Sequence, residues 1–197
     1  NVLAAARMAL FAARDVWFVV GLPVFLRTQE GWSFWAVGAF LGGWVIFYGI
    51  VQASAPSLLR RRGHGEPTGL TATWLAFALA ALTGGIAVAL QSDVDPSVVL
   101  VVGLLGFGVV FALNSAVHSF LILHYAEGDR VAMNVGFYYM ANAAGRLLGT
   151  VLSGLLYQWH GLTACLVASV VLLIAAGMLS LLLPRDVAVS RQALAWA

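Results

Sequence analysis

Runs of about twenty apolar residues follow one another along this chain, and they constrain its fold more than any other feature. A helix of roughly 20 apolar residues is long enough to cross about 30 Å of hydrocarbon. The 197 residues are 62% hydrophobic and 9% charged, whereas about 25% of residues in a soluble domain are charged. Several such runs in series exclude a cleaved signal peptide as their explanation. The sequence therefore predicts an all-α membrane protein.

The apolar runs predict six transmembrane helices joined by short segments with turn-forming and charged residues. The expected helices span about 2–26, 31–55, 69–91, 97–123, 131–158 and 161–183. Residues 1–184 would form one bundle, and 185–197 would form a polar cytoplasmic tail. The chain starts with Asn1 and enters an apolar run almost at once, which suggests part of a longer polypeptide.

Arginines between the predicted helices indicate the orientation, because short cytoplasmic loops retain positive charge. One side of the bundle would carry Arg60, Arg61, Arg62, Arg130, Arg185 and Arg191. The other side has Arg27, accompanied by Glu30, Asp93 and Asp95. This asymmetry predicts a multi-pass protein of the inner (plasma) membrane with both ends in the cytoplasm.

An even number of crossings permits two inverted repeats of three helices, an arrangement known in transporters. The second helix of each triplet carries small residues at intervals of four, which allow helix backbones to approach closely. These residues are Gly38 and Gly42 in the first triplet, and Gly145, Gly149 and Ser153 in the second. The spacing favours an inverted repeat.

Charged side chains inside the first helix are the strongest functional signal. A charge at the centre of a membrane helix costs about 2.5–3.5 kcal/mol on insertion scales, and such residues usually face a bundle interior or a water-filled cavity. Arg7 and Arg14 are seven residues apart and share one helix face. Asp15 points about 100° away from Arg14, so it could pair with an arginine of another helix. A packing salt bridge and proton coupling are both open roles for Asp15.

The fifth predicted helix carries a polar stripe formed by Asn134, Tyr138, Asn142 and Arg146 at intervals of four. Because Arg146 lies near the middle of its helix, it could converge with Arg14 on one anion, which guanidinium groups bind well. The sequence thus predicts a substrate site of Arg14, Arg146, Arg7, Asn142, Tyr138 and Asn114. The asparagines could instead bond to neighbouring helices.

The fourth predicted helix places Asn114 and His118 four residues apart. Histidine titrates near physiological pH, so His118 could relay a proton. A packed, hydrogen-bonded histidine is the alternative.

Other classes of function lack a sequence signal. The chain has no metal-ligand cluster, no phosphate-binding loop and no Gly-x-Ser-x-Gly motif, so we expect no metal, no cofactor and no enzymatic activity. Its ten basic residues are all arginine and its net charge is only +2, which argues against nucleic acid as a partner.

A family resemblance lies in three segments: ARDVWFVVGLPVFL (13–26), GWSFWAVGAFLGGWVIFYGIVQASAP (31–56) and MNVGFYYMANAAGRLLGTVLSGLLYQ (133–158). Together they resemble the C-terminal six-helix half of a major facilitator superfamily transporter, specifically the organoarsenical efflux (ArsJ-type) branch. The resemblance implies a permease that exports 1-arseno-3-phosphoglycerate, which a companion glyceraldehyde-3-phosphate dehydrogenase makes from arsenate. It also implies an N-terminal six-helix half as a partner, while the candidate site residues rest on charge and helical position alone.

Two alternatives remain open at this point. A transporter of another organic anion or sugar phosphate would use the same arginines. A non-transporting membrane scaffold predicts that the arginines are paired with carboxylates and enclose no cavity.

Overall fold

A computed structural model describes residues 2–61, 67–125 and 131–183, and every regular element in these ranges is an α-helix. The helices are α1 (Val2–Phe18), α2 (Gly21–Thr28), α3 (Phe34–Arg61), α4 (Gly69–Ala89), α5 (Pro96–Tyr125) and α6 (Val131–Leu181). Five stretches are long and apolar enough to cross a membrane: Val2–Thr28, Phe34–Ser57, Gly69–Ala89, Pro96–Tyr125 and Ala132–Leu181. The prediction of an all-α protein compatible with several membrane crossings is confirmed.

The first predicted helix, 2–26, is wrong as one continuous element, because it breaks between α1 and α2. Pro23 has no amide hydrogen to donate to the carbonyl of Val19, so the helical ladder is interrupted there. At the break, the amide of Gly21 donates to the side-chain hydroxyl of Ser153 in α6 at 3.0 Å. This bond ties the break to α6. The predictions 69–91 and 97–123 agree with α4 and α5 to within two residues at each end.

The chain reverses direction inside α6, at Gly161. This glycine has φ 71° and ψ −166°, which is outside the helical region and is a conformation that side-chain-bearing residues rarely adopt. The thiol of Cys165 lies 3.6 Å from the carbonyl oxygen of Ser153, twelve residues earlier. A continuous helix would separate these residues by about 18 Å. We therefore describe α6 as two segments, α6a (131–160) and α6b (162–181).

α1 lies between the two segments of α6. A side chain at Gly145 would overlap the carbonyl oxygen of Met8, and one at Gly149 would lie 2.6 Å from that of Ala12. α1 and α6a therefore run parallel with their backbones in contact. On the other side of α1, the Ser169 hydroxyl of α6b donates to the Ala13 carbonyl at 2.6 Å.

α5 lies between α3 and α4 in the same manner. Trp44 and Gln52 of α3 donate to the Leu104 carbonyl and the Ser115 hydroxyl, at 2.8 and 3.4 Å. Trp44 meets Leu104 and Gln52 meets Ser115, so residue numbers rise in the same direction along both helices. α3 and α5 are therefore parallel. The close contacts of α4 with α5 are Ile86 with Gly103 and Leu82 with Gly106. Residue numbers fall along α4 as they rise along α5, so α4 and α5 are antiparallel.

The core lies where α1 meets α5, around the fully buried Trp17, Phe107 and Phe111. By contrast, only 11% of the apolar stretch in α3 is buried, against 61% in the first stretch. Side chains added at Gly38 and Gly42 would meet nothing within 4 Å. The predicted close helix contact at these two glycines is therefore wrong, because α3 turns that face outward in the part of the chain that is described.

The basis of the orientation prediction lies mostly outside the described residues. This applies to Arg62, Arg130, Arg185, Arg191 and the tail 185–197. The backbone of Arg60 and Arg61 belongs to the end of α3. Which end of the bundle faces the cytoplasm stays a prediction.

Candidate functional site

Asp15 is the central residue of the Val2–Thr28 stretch, and its side chain is 1% exposed. Its oxygen Oδ1 lies 2.6 Å from Nε of Arg14, and its oxygen Oδ2 lies 3.3 Å from Nε of Arg146. One buried carboxylate thus joins guanidinium groups from α1 and α6a. Arg146 is the interhelical partner that the sequence allowed for Asp15. Arg14 also pairs with Asp15, although neighbouring residues of a helix point about 100° apart, because the long arginine side chain reaches back to the carboxylate.

Close packing of α1 against α6a brings Arg146 to Asp15. A side chain at Gly149 would lie 2.9 Å from Cβ of Asp15, closer than real Cβ atoms approach. Gly145, the residue before Arg146, contacts the backbone of α1 at Met8. The small residues of α6a therefore set the distance between the two charges.

Arg7 lies deeper in the bundle and is 5% exposed. Its Nη1 donates to the carbonyl oxygen and to the hydroxyl of Ser115, both at 3.0 Å. Its guanidinium carbon lies 4.1 Å from the ring centre of Phe11 and 4.9 Å from that of Tyr138. No carboxylate of the described residues pairs with it. Arg7 is thus a buried cation held by a hydroxyl, a carbonyl and two aromatic faces.

Aromatic rings connect the arginines of α1. Arg14 lies 5.0 Å from the centre of the Phe11 ring and 5.3 Å from that of Phe111, so Phe11 contacts both Arg7 and Arg14. An aromatic face attracts a cation most strongly where water is excluded. The rings therefore compensate part of the hydration that these charges lose.

We call Arg7, Arg14, Asp15 and Arg146 the charged cluster. Three arginines and one aspartate give it a net charge of +2. The side chain of Arg14 is 11% exposed and that of Arg146 is 58% exposed. The cluster is therefore closed toward α5 and open along the face of α6a. Its chemistry suits an acceptor with several negative oxygens, because guanidinium forks bind such groups through paired hydrogen bonds.

The remaining predicted residues fall into two groups. Tyr138 is buried against Arg7, and Asn142, one turn before Arg146, is partly buried with its Oδ1 unpartnered. Asn114 and His118 are buried, and Asn114 Nδ2 and Oδ1 and His118 Nδ1 have no hydrogen-bond partner in the described structure. The stripe of α6a therefore borders the charged cluster, whereas Asn114 makes no hydrogen bond to it.

Sequence reasoning missed residues of α3 and α5 that surround the cluster. Ser115, next to Asn114, is the actual partner of Arg7, and Gln52 donates to the same hydroxyl. Tyr48 stacks against Trp44 and contacts the ring of Phe111. Gln52 was detectable in principle, because it is the one amide side chain within the membrane-length stretch Phe34–Ser57.

In the ranges that the structure describes, no three His, Cys, Asp or Glu side chains lie together in a way that could hold a metal ion. Comparison with protein-family models and with curated proteins gave no match. The resemblance to major facilitator transporters therefore stays a prediction from the sequence.

Proposed function

We propose that this chain forms one six-helix half of a major facilitator superfamily transporter and that it exports an organic anion. The charged cluster would bind the anion near the middle of the membrane. A second six-helix half would close the site from the opposite side. Alternating access would then come from rocking of the two halves around that site.

The packing of the helices supports an inverted repeat. The first triplet is the α1–α2 crossing with α3 and α4, and the second is α5 with α6a and α6b. α1 runs parallel to α6a and packs on α6b, while α5 runs parallel to α3 and packs on α4. Exchange of the two triplets therefore leaves the pattern of contacts unchanged, as an inverted repeat requires. Counting α6a and α6b separately gives six crossings, which would place both ends on the same side of the membrane, and the distribution of arginines would make that side the cytoplasm.

One observation carries the functional proposal: Arg14 and Arg146, from two different helices, meet at a single carboxylate halfway along the bundle. Charges at this depth are costly, and they usually mark the path of a substrate or an ion. The net charge of +2 in the charged cluster, open at Arg146, matches a cargo with more than one negative charge.

The proposed cargo is 1-arseno-3-phosphoglycerate, and export of this compound would confer resistance to arsenate. It carries phosphate and arsenate oxyanions, which suit guanidinium groups. A companion glyceraldehyde-3-phosphate dehydrogenase would supply it. An inside-negative potential would favour export by about 2.3 kcal/mol per negative charge at 100 mV. Another organic anion or a sugar phosphate is the alternative cargo, since the described cluster recognises charge rather than arsenic.

A non-transporting scaffold has one observation in its favour, because Asp15 pairs with both Arg14 and Arg146. Two observations count against it. Arg7 has no carboxylate partner among the described residues, and Arg146 is more than half exposed. A purely structural ion pair would gain nothing from the extra positive charges.

The transport proposal predicts that Arg14→Ala and Arg146→Ala each reduce arsenic efflux. A hydrogen bond to a charged group contributes about 1.5–3 kcal/mol, so each change should lower the efflux rate at least about tenfold. The variants would be made in the protein carrying both halves, in arsenate-treated cells that express the companion dehydrogenase. Retained cellular arsenic and growth at increasing arsenate are the measurements.

Arg27→Ala is the matched control, because Arg27 lies exposed at the end of α2. It should leave efflux unchanged. Cells without the dehydrogenase separate the two cargo hypotheses, since only the organoarsenical requires that enzyme. Unchanged arsenic retention in both cluster variants would show that these arginines do not bind the cargo.

A further inference from the structure

We propose that Asp15 is an internal counter-anion of the transport site. It holds Arg146 when the carrier is empty, and an anionic group of the cargo takes Arg146 from it during transport. This inference rests on the proposed function. It assigns the buried carboxylate a direct part in each cycle, as a competitor of the cargo.

The two contacts of Asp15 differ in a way that identifies the exchangeable one. The contact with Arg14 measures 2.6 Å and joins neighbours on one helix. The contact with Arg146 measures 3.3 Å, joins α1 to α6a, and involves a side chain that is 58% exposed. Exposure of one partner to solvent weakens an ion pair, so a cargo can displace the second contact more readily than the first.

Both arginines bind Asp15 through Nε alone. A guanidinium group has five N–H donors in a planar fork, and the terminal nitrogens of Arg14 and Arg146 make no hydrogen bond with the described residues. A phosphate-like group could therefore first bind these free donors and then draw Arg146 away. Because the exchanged contact joins two helices, binding would also loosen α1 from α6a at this depth.

The empty site requires a counter-charge for a second reason. Without Asp15, Arg7, Arg14 and Arg146 would give the cluster a charge of +3 rather than +2. Uncompensated charges are costly in a closed, low-dielectric site. Loss of Asp15 should therefore tighten anion binding and slow the return of the empty carrier.

Asp15→Asn tests this inference, because it keeps the size of the side chain and removes its charge. The probe is 3-phosphoglycerate, which has two anionic ends, applied to the two-half protein in detergent and in proteoliposomes. Removal of a weak competing ion pair should raise the affinity for the probe by about two- to fivefold. Net efflux should fall by about two- to fivefold while probe-for-probe exchange stays near the wild-type rate, because exchange never requires an empty carrier to return.

Controls separate this inference from the proposed function. Asp93→Asn makes the same acid-to-amide change at an exposed loop position and should behave as wild type. Asp15→Glu retains the charge and should restore net efflux. If Asp15→Asn unfolds easily, the probe should raise its melting temperature more than that of wild type, because the probe replaces the missing carboxylate.

Equal probe affinity and an equal ratio of exchange to net efflux in Asp15→Asn and wild type would overturn the counter-anion role alone. An Asp15→Asn protein that the probe fails to stabilise would do the same. A wild-type protein that neither binds nor exchanges the probe would overturn the proposed organic-anion function, and the role of Asp15 would be lost with it.

Discussion

Replacement of Gly145 by alanine is expected to destabilise the bundle by about 1–3 kcal/mol, the usual cost of overpacking a filled interior. The added methyl group would overlap the backbone carbonyl of Met8, and a backbone atom cannot move aside as a side chain can. α1 and α6a would have to separate along their shared length. The melting temperature of the purified protein in detergent measures this loss.

Gly149→Ala should have a similar effect, since its methyl group would lie 2.6 Å from the carbonyl oxygen of Ala12. Gly136→Ala and Gly154→Ala are the matched controls in the same helix, because an added Cβ there meets nothing within 4 Å. They should leave the melting temperature unchanged or raise it slightly, because alanine is more favourable than glycine inside a helix. If all four variants melted alike, close contact between α1 and α6a would not be a source of stability.

The separation caused by Gly145→Ala should also reach the charged cluster. Arg146 is the next residue, and its 3.3 Å contact with Asp15 spans the two helices that move apart. Efflux should therefore fall together with stability in this variant. In Arg146→Ala, by contrast, efflux should fall while stability is largely retained, because Asp15 keeps its contact with Arg14 and the lost partner is more than half exposed.

The helical architecture was predictable because membrane helices satisfy their own backbone and differ from loops mainly in hydropathy. The positions of Arg14 and Arg146 near the middle of their predicted helices also predicted that the two lie at similar depth. The break before Pro23 was visible in principle, since proline removes a helical hydrogen bond. The predicted turn near 158–161 corresponds to the reversal at Gly161.

Contacts between helices were less predictable because they depend on rotation about each helix axis. Neighbouring residues point about 100° apart, so nothing local distinguishes Asn114 from Ser115 as the partner of Arg7. For the same reason, the sequence could not show which glycines contact another helix. The intervals at Gly38 and Gly42 resemble those of α6a, yet they lie on an open face.

The sequence also could not predict that Asp15 pairs with two arginines at once. Its contact with Arg14 depends on the bent path of a long side chain, and its contact with Arg146 depends on packing between α1 and α6a. The sequence does set one constraint, since Asp15, a single acid, cannot pair separately with Arg7, Arg14 and Arg146. Arg7 is the residue left without a carboxylate in the described structure.

Replacement of Arg7 by methionine is expected to change stability and transport in opposite directions. Methionine fills a similar space without a charge, and it removes the cost of burying a cation that has no carboxylate partner among the described residues. The two bonds to Ser115 would be lost, which reduces the gain. We therefore expect an unchanged or higher melting temperature.

Arg7→Met should nevertheless lower efflux by about ten- to a hundredfold. A charge-assisted bond from the Arg7 guanidinium to the anionic cargo would contribute about 1.5–3 kcal/mol. The charge of the cluster would fall from +2 to +1, which weakens its attraction for a multiply charged anion. Arg27→Met, at the exposed end of α2, makes the same chemical change and should spare both properties. A destabilised Arg7→Met protein with normal efflux per folded molecule would show that Arg7 supports the fold rather than the cargo. A stable protein with normal efflux would show that this buried charge serves neither.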